Sequence, residues 1–316
     1  MLNQIIFRLL GFIPTLLIAS FILFFAVNVV PGSASRAALG IHATPQAIAR
    51  FEHKNGLDKP LLVQYGNWLY NIVKGDFGKS FQNSVNVAIE IKKRLPITIQ
   101  LAIYAFVIAL CIAIPLGLLS AYFHQKPGDG IITSFATLCG SMPNFLLATI
   151  LIYFFSIKLR IFPSGGYVSF SESPIENFRS LFLPSLSLGI VSSGLLIRIM
   201  RTVSIEVLSE NFIELVRSKG AGGKRIVIHH LFRNSMIPFL TVASVEFGFL
   251  IGSVVIIEEI FRLPGIGSLV LVGIINRDYP VLLSAAMVIT VIVLLTNLVV
   301  DTLSTLIDPR QIHKSY

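Results

Sequence analysis

The sequence predicts an all-α, polytopic membrane protein, and three observations carry that expectation. Of its 316 residues 54% are hydrophobic and only 13% are charged, whereas soluble domains carry roughly 25% charged residues. Mean hydropathy is +0.80. The apolar residues gather into six long runs parted by polar stretches, each long enough for a helix to cross a hydrocarbon core of roughly 30 Å.

The first run, Leu9 to Val30, follows Arg8 and spans 22 residues. That exceeds the apolar core of a cleaved signal, usually about 7 to 15 residues, so a retained helix is expected over residues 1–30. Residues 31–98 form the longest polar region. Helix-compatible pieces at Thr44–Asn55 and Pro60–Val73, with a turn at Gly75–Asp76, make it a mixed helical region outside the membrane. It has too few apolar residues to fold as an independent domain. The remaining runs are Ile99–Phe123, Ile131–Phe155, Leu183–Ile199, Phe239–Ile260 and Val281–Ile307. They place a five-helix core at 99–307 and a short tail at 308–316. Pro115, Pro143 and Pro184 are expected to interrupt their helices.

Charge sets the orientation. An even number of spans puts both termini on one side, and that side holds eleven Lys and Arg: Arg8, Lys126, seven from Arg198 to Arg233, Arg310 and Lys314. The short loops opposite hold five: Lys158, Arg160, Arg179, Arg262 and Arg277. The positive-inside rule therefore makes the termini cytoplasmic. The net charge of +9 does not imply nucleic acid, because the cations are dispersed among loops with no aromatic-interleaved basic domain. Cys111 and Cys139 lie in apolar runs and act as small hydrophobes.

The most basic inside loop lies within 204–238, and its segment Asn211 to Pro238 reads NFIELVRSKGAGGKRIVIHHLFRNSMIP. Ile205, Leu208, Phe212, Leu215 and Val216 at helical spacing predict an amphipathic helix. Gly220 and the pair Gly222–Gly223 then break it, and KRIVIHHLFRN is expected to form a second short helix beyond a glycine corner. The glycines do not make a phosphate-binding loop, since Ser218 stands at the first glycine position and Arg225 follows Lys224.

Small residues recur four apart at Ser185, Gly189 and Ser193 and again at Ser244, Gly248 and Gly252, a spacing that lets helices approach closely in lipid. Glu246, Glu258, Glu259 and Asp301 are the acidic groups inside the runs, and a charge at mid-bilayer costs about 2.5–3.5 kcal/mol on insertion scales. Ser244, Glu246, Gly248, Gly252 and Glu258 are thereby candidates for a pore or gate. An ion-coupled secondary transporter is the alternative reading, but it calls for intramembrane carboxylate pairs and an inverted repeat, which the sequence lacks. An intramembrane metalloenzyme is disfavoured too. His229 and His230 are adjacent and point about 100° apart on a helix, unlike an i, i+4 ligand pair.

Glu214-Leu215-Val216 with Gly220 matches the E-x-x-x-x-x-G of the "EAA" loop of ABC importer permeases, with Leu215 and Val216 in place of its two alanines. LGIHATPQAIARFEHKNGLDKPLLVQYGNWL with GDFGKSF, IIEEIFRLPGIGSLVLVGIINRDYPV, and NLVVDTLSTLIDPR add matches along nearly the whole chain. Ser304 stands where a tyrosine is common. The chain resembles the dipeptide/oligopeptide/nickel/glutathione permeases. The resemblance implies a type I ABC importer permease fold and a path for peptides or a related small solute. It implies a second permease subunit, two cytoplasmic ATPase subunits that bind the ATP and Mg, an external solute-binding protein, and a place in the bacterial inner membrane. It implies no cofactor and no catalysis in this chain. The loop would insert into the ATPase, with Glu214, Arg217, Lys219, Gly220, Gly222, Gly223, Lys224, Arg225, His230 and Arg233 as its coupling residues.

Overall fold

The fold is seen in a computed structural model, which describes the backbone of residues 2–29, 32–40 and 42–307 and the side chains of 11–29, 32–40 and 42–299. The tail 308–316, with Arg310 and Lys314, lies outside the described residues, as do the side chains of Arg8 and Asp301. Thirteen α-helices run in order: α1 (Leu2–Val29), α2 (Ala34–Leu39), α3 (Pro45–Asn55), α4 (Leu61–Val73), α5 (Val87–Tyr122), α6 (Pro127–Ser141), α7 (Asn144–Leu151), α8 (Pro174–Leu208), α9 (Asn211–Ser218), α10 (Gly223–Arg225), α11 (Phe232–Ile260), α12 (Ile266–Ile275) and α13 (Tyr279–Ile307). Among the described residues no β-strand forms, and Lys79 and Asn86 share an isolated antiparallel bridge. Among the described residues five helices are long and apolar enough to cross a membrane, and six spans result when α6 and α7 with its π-helical extension count as one broken span.

Two units divide the chain. One holds residues 100–261 and 295 onward, the other 2–99 and 262–294. In the first, α8 is the central helix and packs against α6, α7 and α11. Of its most apolar stretch 67% is buried, against 33% for the segment leading through α11. Small residues make this possible. A Cβ on Gly194 would stand 2.5 Å from Ala136 O and Gly140 N of α6, and one on Gly189 2.8 Å from Ala105 O of α5. Ser185 and Ser193 are fully buried on the same helix. Alanines 109, 113, 136 and 243 join Leu196, Ile197, Met200 and Phe239 in the core beside it.

The second unit explains how the polar region after α1 is held. Thr44 caps α3 by accepting from Ala47 N, Pro45 opens the helix, and Gly56 closes it at φ +68°, as caps at each end require. Neither α3 nor α4 contains a buried residue, so neither brings a core of its own. Instead α4 rests on α1: Tyr65 Oη is 2.9 Å from Ser20 Oγ, and the Trp68 ring lies 5.6 Å from that of Phe24. Further on, Asp278 is buried, accepts from Ser80 Oγ at 2.5 Å and from Phe81 N at 3.1 Å, and so ties the 76–86 segment to the start of α13. The α12 N-terminus is fixed in the same unit by Ile266 N donating to Thr98 Oγ1 at 2.8 Å.

Several expected boundaries moved, each for a local reason. The second span begins at Val87, twelve residues before Ile99, because Asn86 Oδ1 accepts from Ala88 N and opens the helix early. At Met142–Pro143 the third run breaks and bends by 99°; Met142 is extended at φ −77°, ψ 131°, as the residue before a proline must be. Pro115 and Pro184 interrupt nothing, for α5 and α8 run through them; a packed membrane bundle absorbs one missing backbone bond. The predicted amphipathic helix over 205–216 is two helices, because α8 ends at Leu208 and α9 begins at Asn211. The second short helix beyond the glycine corner is the leading end of the fifth span, helical from Gly223 to Ile260. Finally α12, ten residues and too short to span, was not distinguished from the flanking apolar sequence.

The close approach at α8 gives a test. Gly194→Val places atoms against α6 backbone that cannot swing aside, and overpacking of this kind costs about 1–3 kcal/mol. Thermal unfolding of the detergent-solubilised protein is expected to fall clearly for Gly194→Val. It should not fall for Gly252→Ala, whose Cβ meets nothing within 4 Å. Equal midpoints for both variants would show that α6 and α8 are not in backbone contact.

Candidate functional site

The glycine corner is built from two helix ends. Along α9 the one fully buried residue is Ile213, while Phe212 and Leu215, 37% and 57% exposed, turn apolar surface outward. Sequence periodicity selected the outward residues and missed the inward one, because α9 is only eight residues long and follows a break. Glu214, Arg217 and Lys219 are exposed on the same short helix and its end.

Three glycines then do three different things. Gly220, at φ +81°, closes α9 in a Schellman motif: Ala221 N donates to Val216 O at 3.3 Å and Gly220 N to Arg217 O at 2.9 Å. A Cβ there would meet nothing within 4 Å, so the demand on Gly220 is conformational rather than steric. Gly222 is extended and open, and its carbonyl accepts from Arg225 N and Ile226 N to begin α10. Gly223 is steric, since a Cβ would collide with the Tyr122 hydroxyl at the end of α5. Lys224 and Arg225 are exposed beside it, and with Gly222, Gly223, Ile228 and His229 they line a shallow depression.

Residues Ile226–Leu231 continue as a π-helix, a widening often found at functional positions. His230 lies in it, half-buried, its ring 6.4 Å from that of Phe212, and Arg233 follows, exposed. All ten residues proposed from sequence therefore fall on one continuous stretch from α9 through the corner to the start of α11. Most face solvent, and the surface they present is basic with an apolar patch at Phe212 and Leu215.

The pore candidates are not gathered at one place. Ser244 Oγ donates to Leu240 O of its own helix at 2.5 Å. Gly248 faces Asn297, whose Oδ1 would lie 2.8 Å from a Cβ, whereas Glu246 is half-buried on the side of Ser192 of α8. Gly252 is exposed. Glu258, farther along, is fully buried. Among the described residues no group of three or more His, Cys, Asp or Glu is placed to hold a metal ion.

Comparison with known proteins bears on this geometry. The family described as "Binding-protein-dependent transport system inner membrane component" matches residues 113–313, and its N-terminal companion, "Binding-prot-dependent transport system membrane comp, N-term", matches residues 1–102. The chain belongs to this family of inner membrane permeases. The glutathione transport system permease protein of Escherichia coli (strain K12) is 35% identical over 309 residues, 98% of each chain. A Brucella abortus (strain 2308) chain with the provisional name peptide transport system permease protein is 38% identical over 298 residues, 94% of this chain and 95% of that one. Among solved structures, an inward-facing conformation of the MetNI methionine ABC transporter has a TM-score of 0.59 at 15% identity, covering 69% of this chain and 96% of that one, a likeness of fold. The chain is thus a type I permease subunit of an ABC importer. The ion-coupled alternative falls, and the family's role is transport rather than catalysis.

Near the corner the permease carries an ion pair that sequence reading passed over. Asp129, at the start of α6, accepts from Arg201 Nε and Nη2 of α8 at 2.7 Å each and from Ser120 Oγ of α5 at 2.6 Å. His124 Nδ1 lies 3.2 Å from Arg201 Nη2. Ser120 and His124 flank Tyr122, the residue that Gly223 abuts, so one end of α5 meets both the ion pair and the corner. Ser204 Oγ donates to Ser235 Oγ at 3.2 Å, joining α8 to α11 in the same neighbourhood. The signal was available as an isolated Asp and Arg at helix ends, but their pairing needs the fold, since they lie 72 residues apart.

Asp129 is 9% exposed and Arg201 25% exposed at their side chains, so removing one partner leaves an uncompensated, largely buried charge. Arg201→Ala is expected to cost about 3 kcal/mol or more. Asp129→Asn combined with Arg201→Gln should lose less than the two single changes summed, with a coupling of about 0.5–3 kcal/mol. Thermal unfolding of the four proteins in a double-mutant cycle measures it, and additivity would show the two residues to be uncoupled.

Proposed function

We propose that this permease, paired with a second permease subunit, forms the path for a peptide or related small solute across a bacterial inner membrane. Both termini are cytoplasmic. Two ATPase subunits dock at the glycine corner, and a solute-binding protein delivers cargo from outside. The observation that carries the reading is the corner itself: a short helix with exposed Phe212, Leu215 and basic groups, closed by Gly220 and continuous with a membrane span. The names of its relatives, a glutathione permease and a provisionally named peptide permease, supply the solute class. Closure of the ATPases moves α9 and the corner and, through the helical run from Gly223, turns α11 against α8. Glu214 meets a basic group of the ATPase; Arg217, Lys219, Lys224 and Arg225 meet acidic ones, with His230 and Arg233 at the margin of the dock. Ser244, Glu246, Gly248, Gly252 and Glu258 belong to the moving helix.

Orientation is tested by accessibility. Cysteines placed at Asn55 and Ser171 should react with an impermeant thiol reagent applied to intact cells, and one at Gly222 should not. Reaction of Gly222→Cys from outside would reverse the topology and remove the docking argument.

Coupling is tested at Gly220. The αL backbone costs a non-glycine residue roughly 1–2 kcal/mol, and no neighbour crowds a side chain there. Gly220→Val should therefore leave the permease inserted and folded while distorting the dock. In reconstituted complexes ATP-driven transport should fall at least tenfold. Glu214→Ala, which removes one exposed ion pair worth about 0–1 kcal/mol, should weaken transport only a few-fold. Transport by Gly220→Val at the unmodified rate would show that the corner is not the coupling element.

A further inference from the structure

In the unit formed by residues 2–99 and 262–294, a cavity of about 430 Å³ opens among α1, α3, α4, the 76–81 segment and the start of α13. Its size falls within the roughly 300–1,000 Å³ of small-ligand sites. On α4 the positions i, i+3, i+4 and i+7 are Gln64, Asn67, Trp68 and Asn71, and all four line it. This spacing makes one helix face, and on an isolated surface helix such a face either packs apolar side chains or meets open solvent. Here Gln64 Nε2 is held by the carbonyls of Leu57 and Lys59, and the face presents the amides of Asn67 and Asn71 and an indole to a hollow. The Trp68 Nε1 is buried and has no hydrogen-bond partner, and an unsatisfied buried donor costs about 1–3 kcal/mol.

The rest of the lining completes a chemical pattern. Lys54, Asp76 and Lys79 also line it; Asp76 Oδ1 accepts from Gly78 N, and none of the three is engaged in an ion pair among the described residues. Phe24, buried and with its ring tilted 37° against that of Trp68, supplies an apolar wall. We infer that this cavity is a binding site for a short zwitterionic peptide. The side-chain amides of Asn67 and Asn71 each offer a donor and an acceptor, the complement of a peptide group. Trp68 Nε1 donates to a peptide carbonyl, the lysines take the terminal carboxylate, and Asp76 takes the terminal ammonium. A phosphate group fits less well, because it has only acceptors to offer the amide oxygens and would face the Asp76 carboxylate. The inference rests on the peptide reading above and deepens it, placing a peptide contact on the permease outside its transmembrane path.

Trp68 is the chain's one tryptophan, so its fluorescence reports on the cavity alone. In purified full-length permease in lipid nanodiscs, titration with trialanine is expected to change the Trp68 emission saturably. Asn67 and Asn71 are exposed positions of α4, so Asn67→Ala/Asn71→Ala should fold normally and bind at least tenfold more weakly. Inorganic phosphate and short-chain phosphatidylglycerol should neither reproduce the change nor compete. Saturation by either anion in competition with trialanine would overturn the assignment, as would an affinity unchanged in the double variant. The complex reconstituted with its second permease subunit, its ATPases and its solute-binding protein separates the two readings. If trialanine is taken up on ATP but leaves Trp68 unchanged, the cavity proposal falls and the transport reading stands. If Trp68 responds and no ATP-driven uptake occurs, the cavity stands and the transport reading falls.

Discussion

The close approach of α8 to its neighbours is the constraint on which the larger unit depends. In lipid the hydrophobic effect does little to bring helices together, so association relies on van der Waals fit and on polar contacts across the interface. Gly189 and Gly194 let α8 approach backbone atoms of α5 and α6, and serines rather than leucines fill Ser185, Ser187 and Ser193. A helix packed so tightly can also hold the Asp129–Arg201 ion pair in register, since two 2.7 Å hydrogen bonds tolerate little sliding. The packing and the ion pair are therefore one device: small residues set the separation, and the charges fix the rotation.

In the unit containing residues 2–99 the arrangement is different. Its helices α3 and α4 bury no residue fully, Leu62 and Val73 among those left exposed, and the neighbouring segments are held by specific hydrogen bonds. Asp278 satisfies Ser80 and Phe81, and Gln82 Nε2 donates to the carbonyls of Ala37 and Asn276. Gly32 lies so close to the Arg277 guanidinium that no side chain would fit between them. Such a region is shaped by polar satisfaction rather than by hydrophobic burial, which suits a surface whose neighbours are water and soluble molecules.

What the sequence made legible follows from this contrast. Long apolar runs announce spans because lipid allows little else, and Thr44 and Gly220 announce helix ends because their backbone chemistry is local. The broken third span was legible only in part: Pro143 signals a break, but Pro115 and Pro184 carry the same signal in helices that continue. The difference lies in the packing around each proline. Ile213 was missed because α9 is too short for periodicity to separate its faces. The Asp129–Arg201 pair and the anchoring role of Asp278 were not legible at all, because each depends on residues brought together from distant parts of the chain; the polar face ending at Asn71 is local to α4, but the hollow it lines is not. The proposed coupling residues were selected through a local motif, while the pore candidates, chosen by the spacing of small residues and by intramembrane charge, meet different neighbours.

The π-helical turn at Ile226–Leu231 gives the run from Gly223 to Ile260 a mechanical character. At 1.5 Å per residue its 38 residues form a rod about 57 Å long, so a tilt of about 10° at one end displaces the other by about 10 Å. A perfectly stiff rod would pass every small fluctuation of the corner to the far end. A π turn carries wider backbone rings than the α-helix around it and is the place where such a rod can change its twist by small steps. Set within a few residues of the corner, it puts the run's departure from regular α-geometry beside Gly223 rather than in the length of helix beyond it.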